Sequence, residues 1–357
     1  MSQDIRDFVT TSCDLLGVGE PTHAVPVFAE VRNELFAQLV DRGFRSIALE
    51  TDRVAALVAN DFVQEGAGTL DIAMREGFTH GFGALEPNRA LIAWMREYNE
   101  TRPPGDRLSF HGFDTQTEIT NAPSPRRYLE YAATYLGSAQ DIAGVAGDDE
   151  RWSRTEAMMD PAESTGATAE AYRLRAIAAD LLAALRARKP DEGWHRAELH
   201  LMAGIDLLRV HRQCAEPLEP ETRYWRLWGV RDAIMARNLL DIRAAEAARG
   251  ATLVFAHNLH LRRRGTDTAG TLVGSLLGDR YTFVATSLGS SEAIAVEEPG
   301  PDTYEGFLQK HVTIGWGLLP ADAVPSAAVR TDPTPRHYFP LDQAILDDAE
   351  AVLHVRG

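Results

Sequence analysis

Cysteine and long apolar runs are both scarce in this chain. Only Cys13 and Cys214 occur among the 357 residues, too few for a disulfide framework and at no metal-ligand spacing. No apolar run reaches membrane-spanning length, and the polar start MSQDIRDF has no signal-peptide core behind it. We therefore predict a cytoplasmic protein with no membrane partner.

Basic residues are also in short supply. The chain has 36 Lys and Arg against 52 Asp and Glu, for a formal net charge of -16 at pH 7. A surface of this sign repels the phosphates of nucleic acids and anionic membranes. The 45% of hydrophobic residues suffices for a sizeable core at this length. These features predict a globular enzyme with a small-molecule substrate and no nucleic-acid partner, and they leave the oligomeric state open.

Short runs rich in Val, Ile, Leu and Phe predict buried strands. They lie at residues 15–19, 46–49, 108–112, 253–256 and 281–285. Between the first two runs, apolar residues recur at helical spacing over Val27–Val40. A strand, a helix and a strand in this order are typical of a parallel sheet.

The middle of the chain has a different pattern. From about residue 123 to residue 249 it consists of Ala-, Leu- and Arg-rich stretches such as 169–188 and Trp194–Cys214, without a convincing strand. We predict an α/β fold, with a central, largely parallel sheet flanked by helices and a helical insertion between the sheet halves. The predicted domains are residues 1–122 and 250–357 for the two parts of the catalytic core, the second with a C-terminal tail, and 123–249 for the insertion.

Polar residues follow the predicted strands at the points where the strands end. They are Glu20 and His23 after the first strand, Glu50 at the end of the second, Asp114 after the third, and His257 and His260 after the fourth. Ligands of open α/β sheets bind beyond the carboxyl ends of the strands. Each residue alone fits an ordinary cap or loop position, but four similar strand ends predict a functional site.

Arg32 lies on the apolar face of the predicted helix, three residues before Leu35 and four after Phe28. A desolvated guanidinium needs an anionic partner, because an unpaired buried charge costs several kcal/mol. We expect Arg32 to pair with Glu20 or Glu50. The alternative is that its side chain extends past the helix edge to water.

His23 is the natural general base of this site. An imidazole titrates near neutrality, and Glu20 three residues earlier can fix its tautomer and stabilise the imidazolium. The chain has no Gly-x-Ser-x-Gly segment, and neither cysteine lies beside a histidine that ends a strand. These observations favour direct attack by an activated water.

These residues resemble the signature of the erythromycin esterase family. That signature comprises a Gly-Glu-x-x-His loop, a downstream arginine, a strand ending in Leu-Glu and an Ala-His-Asn-x-His segment. The matching residues are Gly19-Glu20-Pro21-Thr22-His23, Arg32, Leu49-Glu50 and Ala256-His257-Asn258-Leu259-His260. Their order and approximate spacing hold from about residue 15 to residue 290.

The resemblance implies a hydrolase that cleaves a carboxylic ester or lactone, a macrolide lactone among the candidates, in antibiotic resistance or natural-product biosynthesis. His23 matches the histidine base of the family. Glu20, Arg32, Glu50, His257 and His260 would then line one cleft, where they orient the water and stabilise the oxyanion. No cofactor and no metal are expected.

Three further residues are candidates for substrate binding. They are Asp114, Arg231 on a predicted aromatic helix, and His80 in a Phe-Thr-His-Gly-Phe segment. The ordinary interpretations are core packing for the aromatic residues of that helix and plain solvent exposure for His80.

Other functions remain open at this point. A relative of this family could instead form a lactone, cyclise a substrate or carry out an elimination. A metal-dependent hydrolase could use His257 and His260 with the strand-end acids, although the charge of Arg32 would oppose a cation. A non-catalytic binding protein would show no turnover of any ester.

Overall fold

The computed structural model describes residues 2–23, 25–118, 120–265, 267–331 and 338–357. Within these ranges, seven strands form one sheet in the order β3-β2-β4-β1-β5-β7-β6. The strands are β1 (Leu15–Glu20), β2 (Ser46–Asp52), β3 (Ser109–Asp114), β4 (Thr252–His257), β5 (Tyr281–Leu288), β6 (Trp316–Pro320) and β7 (Ala351–Val355).

The centre of the sheet is parallel. Strand β1 pairs in parallel with β4 on one side and β5 on the other, β2 pairs in parallel with β4, and β7 with β5. Strand β6 runs antiparallel to its neighbour β7. Every residue of β1, β2 and β4 is buried, which explains why these strands are continuous apolar runs in the sequence.

The predicted α/β fold and the five predicted strands are confirmed, and the structure adds two strands near the chain end. β6 is a short strand that ends at Pro320, a residue that strands tolerate only at edges or ends. β7 contains His354, which interrupts the apolar pattern. Its ring is buried because Ser287 and Gln309 hydrogen-bond its two nitrogens, at 2.8 Å each.

Helices occupy most of the remaining described chain. They are α1 (Val27–Val40), α2 (Ala56–Glu65), α3 (Leu70–Glu76), α4 (Glu86–Glu100), α5 (Arg126–Leu136), α6 (Ile142–Ala146), α7 (Glu150–Ser153), α8 (Thr155–Met159), α9 (Ala169–Ala187), α10 (Trp194–Cys214), α11 (Pro220–Glu246), α12 (Asn258–Leu261), α13 (Ala269–Leu277), α14 (Tyr304–His311) and α15 (Gln343–Asp348). Helices α1 and α10 have the bounds that the apolar spacing predicts.

The chain divides into two compact units. The first comprises Met1–Glu50, Ala55–Phe113 and Ala236–Gly357, and contains nearly all of the sheet. A large core cluster lies in this unit, in which the apolar face of α1 packs with residues from the strands. The burial of apolar side chains in such a core is the main favourable contribution to the stability of a domain.

The second unit comprises Thr51–Val54 and Asp114–Met235 and is mainly helical. Residues of α5, α6, α9 and α10 form one of its core clusters, around the fully buried Trp152. A smaller cluster includes Tyr128, Met158 and Cys214. In the parts of the chain that the structure describes, no helix combines the length and apolar character needed to cross a membrane.

Candidate active site

Three neighbouring strands of the first unit end in the residues singled out from the sequence. In the order β2-β4-β1, these strands carry Glu50, His257 and Glu20 at or near their carboxyl ends. Glu20 lies directly opposite His257 in the register of β1 and β4. Glu50 Oε2 accepts a hydrogen bond from the His257 backbone N–H at 2.9 Å. The parallel sheet therefore brings together residues that are far apart in sequence.

His23 is the most accessible member of this cluster. Its Nδ1 lies 2.6 Å from Glu20 Oε1, and its side chain is 35% exposed against 9% for Glu20. A carboxylate at this distance fixes the tautomer with hydrogen on Nδ1, which leaves the lone pair on Nε2. Burial raises the pKa of the Glu20 carboxyl, and the hydrogen bond from His23 opposes this rise.

Glu50 links two of the histidines. Its Oε1 lies 3.8 Å from His23 Nε2 and 3.5 Å from His260 Nε2. The Glu50 and His260 side chains are almost fully buried. The distance to His23 is too long for a direct hydrogen bond, but it suits a water that contacts both atoms.

His257 is a neutral residue that holds the site together. Its Nε2 donates to the Pro21 carbonyl at 3.2 Å, and its Nδ1 accepts from the Leu259 N–H at 3.2 Å. Burial lowers its pKa to about 3. The resemblance implied that His257 would orient water or stabilise an oxyanion. The structure instead engages both ring nitrogens with the backbone, so we assign His257 to positioning the loop from Glu20 to His23.

Arg32 is buried as predicted, but its expected ion pair is absent. Among the described residues, no carboxylate oxygen lies within the 4.0 Å of an ion pair with Arg32. The guanidinium instead donates from Nε and Nη2 to Asn33 Oδ1, at 3.1 and 2.8 Å, and lies 5.0 Å from the centre of the Phe255 ring. Burial lowers its pKa to about 10, and the charge of Glu20 opposes this shift at longer range. The side-chain amide of Asn33 therefore supplies the hydrogen-bond acceptor for which the sequence predicts a carboxylate.

A small cavity of about 20 Å³ lies beside His23. Glu20, Arg32 and Glu50 supply polar groups to its wall, and Phe82 and Phe255 belong to its mostly apolar remainder. A cavity of this size with a few polar groups in its wall has room for about one water molecule. Among the described residues, no group of three or more His, Cys, Asp or Glu has a geometry that could hold a metal ion.

Comparison with known proteins agrees with this arrangement of motifs. The family profile of erythromycin esterases matches residues 39–354. The chain belongs to the erythromycin esterase family. Erythromycin esterase type I of Escherichia coli is 24% identical over 353 residues, which cover 90% of this chain and 79% of the relative. The resemblance inferred from the motifs is thus confirmed, although Glu20, His23 and Arg32 precede the segment that the profile matches.

Solved structures share the fold of this erythromycin esterase family member. A Bacillus cereus protein has a TM-score of 0.70 at 16% identity, over 99% of this chain and 90% of that one. A succinoglycan biosynthesis protein has a TM-score of 0.71 at 18% identity, over 99% of this chain and 89% of that one. A histidine-to-asparagine variant of the erythromycin esterase EreC, in its open conformation, has a TM-score of 0.68 at 18% identity. The match covers 99% of this chain and 94% of that one. These matches confirm the predicted fold.

Two residues of the family signature have a structural role here. The side chain of Asn258 bridges the backbone of β5: Nδ2 donates to the Thr286 carbonyl at 2.8 Å, and Oδ1 accepts from the Thr286 N–H at 3.0 Å. A Cβ on Gly19 would lie 2.0 Å from Asn258 Oδ1. Position 19 therefore has no space for a side chain, because the Asn258 amide occupies it.

Replacing Gly19 with alanine is expected to lower the free energy of unfolding by about 2–4 kcal/mol, since the new methyl displaces a buried amide and breaks its two hydrogen bonds. Thermal or urea unfolding measures this loss. Gly274→Ala is the matched control, because a Cβ there meets nothing closer than 3.5 Å and the position is helical. Equal stability of the two variants would contradict the packing argument.

Two predicted substrate-binding residues pair with each other in the second unit. Arg231 Nε lies 3.0 Å from Asp114 Oδ1, and its Nη2 lies 2.6 Å from Oδ2. The Asp114 side chain is fully buried and also accepts the Thr115 N–H at 2.7 Å. This bidentate ion pair stabilises the local structure around Asp114 and Arg231. A role of either residue in substrate binding stays a prediction.

His80 lies beside the histidine cluster rather than in it. Its ring centre is 5.7 Å from that of Phe82, which in turn is 5.2 Å from His23. His80 has a φ of 56° and Gly81 one of 75°, so a tight turn presents Phe82 to His23. Sequence reasoning missed Phe82 although it lies within the segment that contains His80.

Proposed function

We propose that this erythromycin esterase family member hydrolyses a carboxylic ester or lactone with a water that His23 activates. The observation that carries the proposal is the 2.6 Å contact between His23 Nδ1 and the buried Glu20 carboxylate. This contact leaves Nε2 as the basic atom of the most accessible residue in the cluster. Nε2 and Glu50 Oε1, 3.8 Å apart, can both contact one water.

The chemical steps use only groups of this chain. His23 Nε2 takes a proton from the water while the water oxygen attacks the ester carbonyl carbon and forms a tetrahedral oxyanion. The oxyanion then collapses, the bond to the alkoxy oxygen breaks, and the imidazolium returns its proton to that oxygen. The products are one carboxylic acid and one alcohol, or a single hydroxy acid from a lactone. Glu20 stabilises the imidazolium between the two proton transfers.

The remaining residues shape the charge of the site. Glu50 accepts from the water and so directs a lone pair of the water at the carbonyl carbon. The buried positive charge of Arg32 offsets the charges of Glu20 and Glu50, so the developing oxyanion meets less repulsion. The cavity that Arg32 lines has a mostly apolar wall, and the low local polarity strengthens each of these interactions.

The substrate class rests on the family and its named members. The Escherichia coli relative is an erythromycin esterase, which supports a macrolide lactone as one candidate. A suitable panel comprises p-nitrophenyl esters, aliphatic lactones and a macrolide lactone. Hydrolysis of at least one member with release of acid is the expected result. Failure of every member, with a folded protein, would favour a tailoring reaction or a binding protein.

A single turnover in 18O-labelled water tests the direct attack. We expect one labelled oxygen in the product acid and none in the protein, because water itself forms the new bond. Label in the side chain of Glu20 or Glu50 would indicate a covalent acyl intermediate on a carboxylate instead. Mass spectrometry of the product and of the digested protein distinguishes the two outcomes.

Exhaustive chelation is expected to leave kcat/KM unchanged. Arg32 already places a buried positive charge beside Glu20, and a second cation in the same low-dielectric site would be repelled. The assay compares untreated, chelated and zinc- or manganese-supplemented protein, with a zinc hydrolase treated in parallel. Activity that chelation removes and metal restores would assign water activation to the metal.

A further inference from the structure

Four aromatic side chains of the candidate active site, Phe82, His23, His257 and Phe339, are linked by pairwise ring contacts. The ring centre of His23 is 5.2 Å from that of Phe82 and 5.5 Å from that of His257. Phe339 meets His257 edge to face, with ring centres 5.0 Å apart and planes at 82°. Phe339 is 41% exposed, although its ring contacts the buried His257.

Phe339 lies on a firmly held segment. Its backbone N–H donates to the Pro21 carbonyl at 3.0 Å, and the same carbonyl accepts from His257 Nε2. The Leu341 N–H donates to the buried Glu305 carboxyl at 2.8 Å. Tyr338 is buried, with its hydroxyl 3.4 Å from the Leu288 carbonyl. The exposure of the Phe339 ring is therefore a property of a fixed backbone, one carbonyl away from the loop that carries His23.

We propose that Phe339 is a specificity-determining residue, whose ring binds the alkyl or acyl chain of the ester while the carbonyl group lies at His23. The inference rests on the proposed hydrolysis and names the part of the substrate that the site selects. Phe82 contacts the His23 ring and Phe339 contacts the His257 ring, so the reacting bond would have an apolar ring beside each of these two histidines.

The chemistry of the site favours an uncharged, apolar chain over a charged one. Glu20 and Glu50 carry the negative charge of the cluster, and Arg32 is turned to Asn33 and Phe255. An anionic substituent would meet the two carboxylates, whereas a methylene chain gains from leaving water against the Phe339 ring. Each methylene covered in this way is worth up to about fourfold in kcat/KM.

A chain-length series tests the proposal. The probes are p-nitrophenyl esters from acetate to octanoate, assayed with the wild type, Phe339→Ala and Phe339→Leu. We expect the wild-type kcat/KM to rise with chain length over the first methylenes, through KM more than kcat. Phe339→Ala should lose this rise, so that its kcat/KM falls further below that of the wild type with each added methylene, and Phe339→Leu should keep most of the rise.

Two further variants keep the outcome decisive. Phe339→Gln places a polar side chain of similar length at this position and should also lose the rise. It replaces Phe339→Ala in the test if the alanine variant does not fold. Leu276→Ala removes an exposed apolar side chain of α13 outside this cluster and should match the wild type at every length.

Parallel chain-length curves for the wild type and Phe339→Ala would overturn the proposal, and so would an equal fall in rate for every ester. The equal fall would mean that the ring acts only through His257. If the wild type hydrolyses no ester at all, the proposed function fails, and this result differs from hydrolysis with an unchanged chain-length profile.

Discussion

His23→Asn is expected to lower kcat/KM for any ester by about a hundred- to ten-thousand-fold, the usual contribution of a positioned general base. An asparagine amide can still donate to Glu20 from nearly the position of His23 Nδ1, but nothing replaces the lone pair of Nε2. The loss should therefore arise from the chemical step and be seen in kcat, while the fold is retained.

The matched variant His23→Gln tests whether a non-basic amide near the position of Nε2 can replace the base. Glutamine can place its amide near Nε2, but an amide is not basic and cannot take the proton of water, so we expect a loss of similar size. Circular dichroism and thermal melting of both variants check the fold. Near-normal kcat in either variant would remove His23 from the mechanism.

Acid is expected to begin to destabilise this protein at about pH 6.5, above the titration range of ordinary carboxylates. Burial lowers the pKa of His257 and of His354 to about 3 and that of His211 to about 4, against an ordinary value of 6.5. All three rings are almost inaccessible to solvent. Below pH 6.5 the unfolded chain takes up protons that the folded chain refuses, so the full stability is present above that pH and is lost as the pH falls towards 3–4.

The size of this effect follows from proton linkage. Each such histidine removes up to about 1.4 kcal/mol of unfolding free energy per pH unit, and three together remove about 4 kcal/mol per unit. Domains are typically stable by about 5–15 kcal/mol, so a loss of about 4 kcal/mol per unit below pH 6.5 should unfold a domain of low stability near pH 5 and a more stable one at about pH 4 or below. Urea unfolding at pH 8, 7, 6 and 5 measures the slope directly.

His211→Gln separates this cause from general acid effects. A glutamine amide can keep the hydrogen bond that His211 Nε2 makes with the Pro123 carbonyl, while the titrating ring is removed. We expect the pH slope to fall by about a third, as one of three equal contributions is lost. His195→Gln is the control, because His195 is largely exposed. Unchanged stability between pH 7 and pH 5 in the wild type would refute the explanation.

The sequence predicts the position of the site better than its electrostatics. Glu20 and His23 are three residues apart in a loop, and their contact follows from that spacing. The convergence with Glu50 and His257 follows from the rule that parallel strands end at one edge. No sequence rule predicts that a side chain turns to its neighbour, as Arg32 does to Asn33, since this depends on rotamers and local packing.

The protonation state of His257 was beyond sequence reasoning for a related reason. Its Nε2 meets the carbonyl of Pro21, 236 residues earlier in the chain, and burial then keeps the ring neutral. Phe339 escaped notice because it follows a Pro- and Asp-rich stretch that suggests an irregular tail. In both cases the role of the residue comes from contacts distant in sequence.

The strand order also determines when the site can form during synthesis. Strand β4 lies between β2 and β1, yet the ribosome makes both of these strands, and all of residues 114–235, before it reaches β4. Until then β1 and β2 lack their shared neighbour and expose unpaired edges, which favour association with other chains. A nascent chain that stops before residue 252 therefore has no complete site. The sheet can therefore be completed only after β4 has been made, and a separately supplied fragment containing β4 to β7 is the natural candidate to complete a chain that stops before it.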